Sequence, residues 1–231
     1  MLHLRNILVL TLVLLIGLSL PLIAQESRSK DKKSDEGTSR GGLMLFGGLG
    51  LPNGAFGKTE GEDAGYAKQG YFGGAEIMFS LAPGVGIVLD GRYMINKLNE
   101  EEILKQVGGG SNVSVSLGSF TGILPMAGLR LYLPAPLSIF VDAQAGYMFA
   151  KTPEMTYTAP GFSQKVESQN GKGLAYGASA GIDIGNTLIV GATYIITKPK
   201  FESTSGSGAT ATTSTMEQQM NMIQAWVGIR F

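Results

Sequence analysis

The sequence predicts an all-β fold, an eight-stranded antiparallel up-and-down transmembrane β-barrel. Three observations predict it. Eight segments after Gly41 alternate apolar and other residues at the two-residue period of a strand. The connections between them alternate short and long. The face opposite the apolar one gathers the charged residues of the segments.

The first strand runs over about 42–52, with Leu43, Leu45, Leu49 and Leu51 on one face. The second, about 70–81, places Tyr71, Ala75, Ile77, Phe79 and Leu81 together, and Ala82-Pro83-Gly84 turns the chain. The third, about 85–97, carries Val85, Ile87, Leu89, Tyr93 and Ile95. The fourth, about 113–132, is the least regular, and Pro125 within it predicts a bulge or an edge-like defect. Leu133-Pro134-Ala135-Pro136 ends it. The fifth spans about 137–149 and the sixth about 173–184, both with unbroken alternation. Gly185-Asn186 is a tight-turn pair before the seventh, about 187–198. In the last strand Ile223, Ala225, Val227, Ile229 and Phe231 share one face. Met222, Gln224, Trp226, Gly228 and Arg230 share the other.

Short connections follow strands two, four and six. The long ones, about 53–69, 98–112, 150–172 and 199–218, are rich in Gly, Ser, Thr or charge. The 203–215 stretch of Ser, Thr, Gly and Ala reads as a mobile loop tip. An even strand count leaves both ends of the barrel segment on the side of the short turns. Lipid offers no hydrogen bonds to a sheet edge, so a membrane-spanning sheet has to close. Outward Tyr71, Tyr93, Tyr147, Tyr176 and Tyr194 all fall several residues from the nearest short turn, where an interface would favour amphipathic rings. A soluble barrel would reverse the faces and put the charges outside.

Residues 1–24 have the layout of a secretory signal peptide: Arg5, an apolar core from Ile7 to Leu18, Pro21, and Ala24 before Gln25. Residues 25–40 are polar and charged, with Lys30, Lys32 and Lys33 set among Asp31, Asp35 and Glu36, which suits a solvated, disordered linker. The barrel domain is then 41–231. Loss of Arg5 takes the 18 basic residues to 17, against 18 acidic ones, which gives no reason to expect a nucleic-acid partner. There is no cysteine, so neither a disulfide nor a thiolate metal site is expected.

The inward face holds Glu76, Asp90, Arg92, Arg130, Asp142, Asp183 and Arg230. All lie near a short turn or the last residue, so they would meet in one half of the lumen. Side chains nearly fill an eight-stranded barrel, and buried charges have to be paired. These residues are therefore expected to form a salt-bridge network that blocks or strongly narrows the lumen. A polar path or gate for a small solute is the alternative.

The signal segment, the strand and loop layout, the charged interior and the closing Trp226-Val227-Gly228-Ile229-Arg230-Phe231 resemble the eight-stranded bacterial outer-membrane β-barrel family, of the OmpA transmembrane-domain and OmpX type. The resemblance covers about 41–231. It implies a bacterial outer-membrane location, contact with outer-membrane lipids and lipopolysaccharide, and delivery by the outer-membrane assembly machinery, with Trp226 and Phe231 in the C-terminal assembly signal. The periplasmic peptidoglycan-binding domain of the OmpA type has no counterpart here, so anchoring through one is not expected. Oligomeric state is not legible.

Enzyme motifs are present only as fragments. Gly177-Ala178-Ser179-Ala180-Gly181 matches a nucleophile elbow, but it lies inside an alternating strand. The one histidine is His3, in the signal segment, so no Ser-His-Asp site is expected. Gly57-Lys58-Thr59 lacks the first glycine of a phosphate loop, since position 52 is Pro52. Ser27-Arg28-Ser29-Lys30 falls in the linker. Acidic clusters at Glu100-Glu101-Glu102 and at Glu60, Glu62 and Asp63 are either solvated or a place for divalent cations. No cofactor and no metal are expected. The leading reading is a non-enzymatic barrel acting in envelope integrity or surface contacts through four loops. The alternative is a small pore or a carrier of small or apolar solutes.

Overall fold

The computed structural model describes residues 41–106, 114–133, 138–185, 187–205 and 212–231. The signal segment, the linker and Asn186 lie outside these.

Eight long strands make the wall: β1 (Gly42–Asn53), β2 (Ala67–Ala82), β3 (Val85–Leu98), β5 (Ser119–Tyr132), β6 (Ser138–Lys151), β9 (Asn170–Ile184), β10 (Leu188–Thr197) and β13 (Asn221–Arg230). Each pairs antiparallel with its neighbours, and β10 pairs with both β9 and β13, while β13 pairs with β1. The sheet therefore closes, and no stave leaves an edge of unpaired backbone groups. Ala82 reaches Val85 through Pro83 and Gly84, where φ is +79°; Gly185 takes φ +66° before β10. Both are left-handed turn positions that suit glycine. Arg230 lies opposite Met44, and the Phe231 amide donates to the Leu43 carbonyl at 2.8 Å, so both ends of the barrel segment sit with the short turns.

Alternation decides the faces. Leu43, Ile77, Leu89, Tyr93, Leu174, Tyr176, Tyr194 and Val227 are exposed on the outer wall. The intervening residues are buried, and they are mostly apolar. Met44, Phe46, Phe72, Met94, Leu124, Met126, Phe140, Met148, Ile189, Met222 and Trp226 belong to one continuous cluster, and Met78 and Val88 are buried outside it. A lumen this narrow needs small residues opposite large ones. A Cβ added at Gly191 would lie 2.5 Å from the Trp226 indole, and one at Gly181 would lie 2.4 Å from the Phe140 ring. This is one use of the glycine abundance, which no backbone period explains.

One expectation is corrected, and one pair of alternatives is decided. Strand four is not continuous: β4 (Ser114–Leu117) leaves the barrel and pairs with β7 (Met155–Ala159), which pairs with β8 (Phe162–Val166). Gly118 separates it from β5, its amide donating to Glu154 O at 2.8 Å. Of the bulge or edge-like defect expected at Pro125, the structure has the second. The β3–β5 register runs unbroken through Gly91 opposite Pro125. On the other side the pairs Ile123–Phe149 and Met126–Gly146 keep one register with two pairings missing between them. Proline removes the donor without adding a residue, so the ladder is interrupted and the count is kept.

The long connections are folded. A short 3-10 turn, Gly54–Gly57, buries Phe56 edge-on against Phe120 at 5.2 Å. Helix α1 (Glu100–Gln106) turns Ile103 into the same apolar group. The 203–215 stretch contributes backbone to β11 (Lys200–Ser205) and β12 (Thr212–Glu217), which pair as a hairpin; residues 206–211 lie outside the described ones. Phe201 and Met220, at its base, are buried over the lumen mouth.

Candidate functional site: the lumen and its outer rim

Inward parity on six staves brings the charges together. On β5, Arg130 has no exposed surface. Its Nε and Nη2 donate to the two carboxylate oxygens of Asp142 on β6, both at 2.8 Å. Nη1 and Nη2 also reach the oxygens of Glu76 on β2, each at 2.8 Å. The guanidinium lies 4.0 Å from the Phe140 ring centroid. One guanidinium fork thus grips two carboxylates from different strands, a geometry a lysine could not reproduce.

Arg92, on β3, holds Asp90 of its own strand through Nε at 2.9 and 3.0 Å. Its Nη1 donates to Gln224 Oε1 at 2.6 Å and Nη2 to Gln144 Oε1 at 3.4 Å. Asp90 faces Glu76 directly across the β2–β3 ladder. Two like charges placed so are tolerable only because each is held by a different arginine. Arg230 pairs with Asp183 and donates to the Tyr132 hydroxyl at 3.1 Å. The seven residues therefore lie inside the barrel as three arginine-centred groups. Above them Trp226 Nε1 donates to Thr193 Oγ1 at 3.0 Å, and Thr193 shares a hydrogen bond with Ser179 at 3.0 Å. Ser179 is thus tied to Thr193 across the β9–β10 ladder.

Sequence parity alone could have found Gln144 and Gln224, which share faces with Asp142 and Trp226. Their role as Arg92 acceptors depends on which staves face across the lumen, and no local pattern reports that. The apolar fill by Met and Phe was likewise missed, because attention to the inward face rested on its charges.

Outside, the wall is apolar from the short turns to a ring of tyrosines. A closed sheet with an apolar exterior and its charges paired inside is the arrangement a bilayer demands.

This is a closed eight-stranded antiparallel β-barrel with the exterior of a membrane-spanning one.

Solved structures of similar fold include Ail, the attachment invasion locus protein of Yersinia pestis, at 14% identity, covering 83% of this chain and 99% of that one, with a TM-score of 0.47. A major outer membrane protein from Thermus thermophilus has 13% identity, 83% and 99% coverage and a TM-score of 0.48. OprG from Pseudomonas aeruginosa has 12% identity, 84% and 98% coverage and a TM-score of 0.48. At such identities the likeness is one of fold. No protein-family model and no curated protein matches the chain.

The long-loop end of this barrel carries different chemistry. Lys58 pairs with Asp63 at 3.4 Å, Lys105 with Glu102 at 2.8 Å and Lys165 with Glu154 at 3.1 Å. The acidic clusters are thus partly neutralised by lysine. Among the described residues no group of three or more potential ligands could hold a metal ion. Glu217 takes hydrogen bonds from Lys198 and Lys200, which hold its carboxyl below its ordinary value. The sign follows: its contribution to the β11–β12 hairpin is present above the ordinary glutamate range and is lost as pH falls through the lowered value. Protection factors of the Lys200–Phe201 and Met216–Glu217 amides, taken relative to intrinsic exchange at each pH, should therefore be lower at pH 3 than at pH 6, and Glu217→Gln should remove that difference.

Proposed function

We propose that this barrel is a non-enzymatic envelope protein, closed to solutes, whose extracellular loop regions make its functional contacts. The observation that carries the reading is Arg130, fully buried in the short-turn half of the lumen and gripping Glu76 and Asp142 from two other strands. A side chain so placed fills the passage and ties staves together. The apolar group of Phe56, Phe120 and Ile103 adds a second obstruction at the outer mouth. Charges in a conducting lumen would be expected to keep water around them.

In this reading the folded loops are the working surface. They project a three-stranded sheet and a hairpin beyond the membrane, more structure than a connection between staves needs. The proposed partners are outer-membrane lipids and lipopolysaccharide, with the assembly machinery engaging the final strand through Trp226 and Phe231. The test replaces 155–166, strands β7 and β8, by a short Gly/Ser link in cells that depend on the protein for detergent resistance or surface attachment. The barrel should still insert, while the phenotype falls to that of a deletion. A phenotype that survives the replacement would move function away from this loop sheet.

A carrier for apolar molecules is the second reading, and the interrupted β5–β6 ladder at Pro125 favours it. The apolar Met and Phe lining would suit such cargo. Uptake of an apolar dye into vesicles, lost when Tyr147 and Pro125 are cross-linked through introduced cysteines, would support it; uptake at the rate of empty vesicles would dismiss it.

A further inference from the structure

The positive charge of this barrel is stratified. The described arginines all lie in the lumen, and no described lysine lies in the short-turn half. At the loop tips Lys58, Lys105 and Lys165 each face a carboxylate. One step lower, on the outer wall, lysines cluster without enough acid to balance them.

Lys172 on β9 stands directly opposite Lys200 on β11. Like charges so placed repel, and nothing in strand pairing requires them there. Glu217, opposite Lys200 on its other side, is shared between Lys200 at 3.0 Å and Lys198 at 2.6 Å. No carboxylate pairs with Lys172 among the described residues. The pair also stands between two crevices on the outer wall, of about 550 and 470 Å³, both of which Lys172 and Lys200 line. The floor of the larger is Tyr147, Leu174, Tyr176 and Ile196, part of the lipid-facing belt.

We propose that Lys172, Lys198 and Lys200, above the crevice of Tyr147, Leu174, Tyr176 and Ile196, bind a phosphorylated glycolipid of the outer leaflet. Charge and surface fit one amphiphile. The phosphate sits between Lys172 and Lys200 and relieves their repulsion, and acyl chains lie along the apolar floor. A soluble polyanion suits the place less, because it would approach through loops where lysines are already paired with acid and where Glu60, Glu62 and Glu100 to Glu102 face outward. The site rests on the outer-membrane reading proposed above, and not on whether the lumen conducts.

The experiment uses the protein extracted from outer membranes in a neutral detergent, with binding followed by native mass spectrometry. The probes are diphosphorylated lipid A, the same lipid A stripped of its phosphates, and heparin. Lys172→Gln/Lys200→Gln is compared with Lys58→Gln/Lys105→Gln, which removes equal charge at the loop tips. Lysine near a membrane surface contributes roughly five-fold to anionic lipid binding, so the first pair should lose about thirty-fold in affinity for phosphorylated lipid A. The control pair should bind as the unaltered protein does, and stripped lipid A should bind the unaltered protein as weakly as the first pair binds the phosphorylated form. All four lysines are exposed, so both variants should keep the heat-modifiable mobility of a folded barrel. Equal losses in the two variants, or undiminished binding of stripped lipid A, would overturn the proposal. So would heparin binding that exceeds lipid binding and depends on the same two lysines.

Discussion

Arg130→Met is expected to destabilise the barrel by about 3–5 kcal/mol, the usual cost of leaving buried charge without its partner. Here one substitution strands two carboxylates, Glu76 and Asp142, which lose their shared guanidinium together. Methionine roughly fills the volume, so the loss reports charge rather than a cavity. Urea unfolding in lipid vesicles measures it. Adding Glu76→Gln and Asp142→Asn to Arg130→Met should restore most of the stability, since a neutral, packed group costs far less than orphaned ions. A triple variant as weak as the single one would mean that Arg130 matters through packing on Phe140.

Trp226→Ala should have an effect of similar size, about 3–5 kcal/mol, by opening a cavity in the lumen. The indole is buried between Phe46, at 5.7 Å between ring centroids, and Phe140, at 6.4 Å. Trp226→Phe keeps much of that contact and loses the hydrogen bond to Thr193, so about 1 kcal/mol is expected. Phe231→Ser should behave differently. Phe231 is 73% exposed on the outer side, so the refolded barrel should lose little stability, while a role in assembly predicts several-fold less protein in the outer membrane. Phe140 touches both Arg130 and Trp226, so the two large substitutions should not be additive; a double-mutant cycle should give a coupling of about 0.5 kcal/mol or more.

The wall of the barrel was legible because each stave states its own face. Leu43 and Leu45, or Ile223, Val227 and Ile229, need only the two-residue period to be placed outside, and the same parity carried Arg92 and Arg130 inward. Parity gives a side but not a depth. It could not say that Arg130 would meet Asp142 of the neighbouring strand while Arg92 would reach across to Gln224, because those meetings depend on how the staves stagger on closure. Methionines such as Met94 and Met148 carry no positional signal; they fit where glycine leaves room, as at Gly122. The loop strands were hidden for another reason. Ser114–Leu117 and Phe162–Val166 are too short and too polar to show a period, and they become strands by pairing with Met155–Ala159 between them. Pro125 was legible as a break but not as to its kind: a missing donor and an extra residue look alike in a sequence, and only the kept register shows the former.

The central claim is a barrel held and closed by its lumen side chains. Single-channel recording in a planar bilayer tests it most directly, with insertion verified by heat-modifiable mobility of the same preparation. The account predicts a silent bilayer for the unaltered protein, and also for the triple variant Arg130→Met/Glu76→Gln/Asp142→Asn, whose side chains keep the lumen packed. Reproducible conductance steps from the unaltered protein would contradict it.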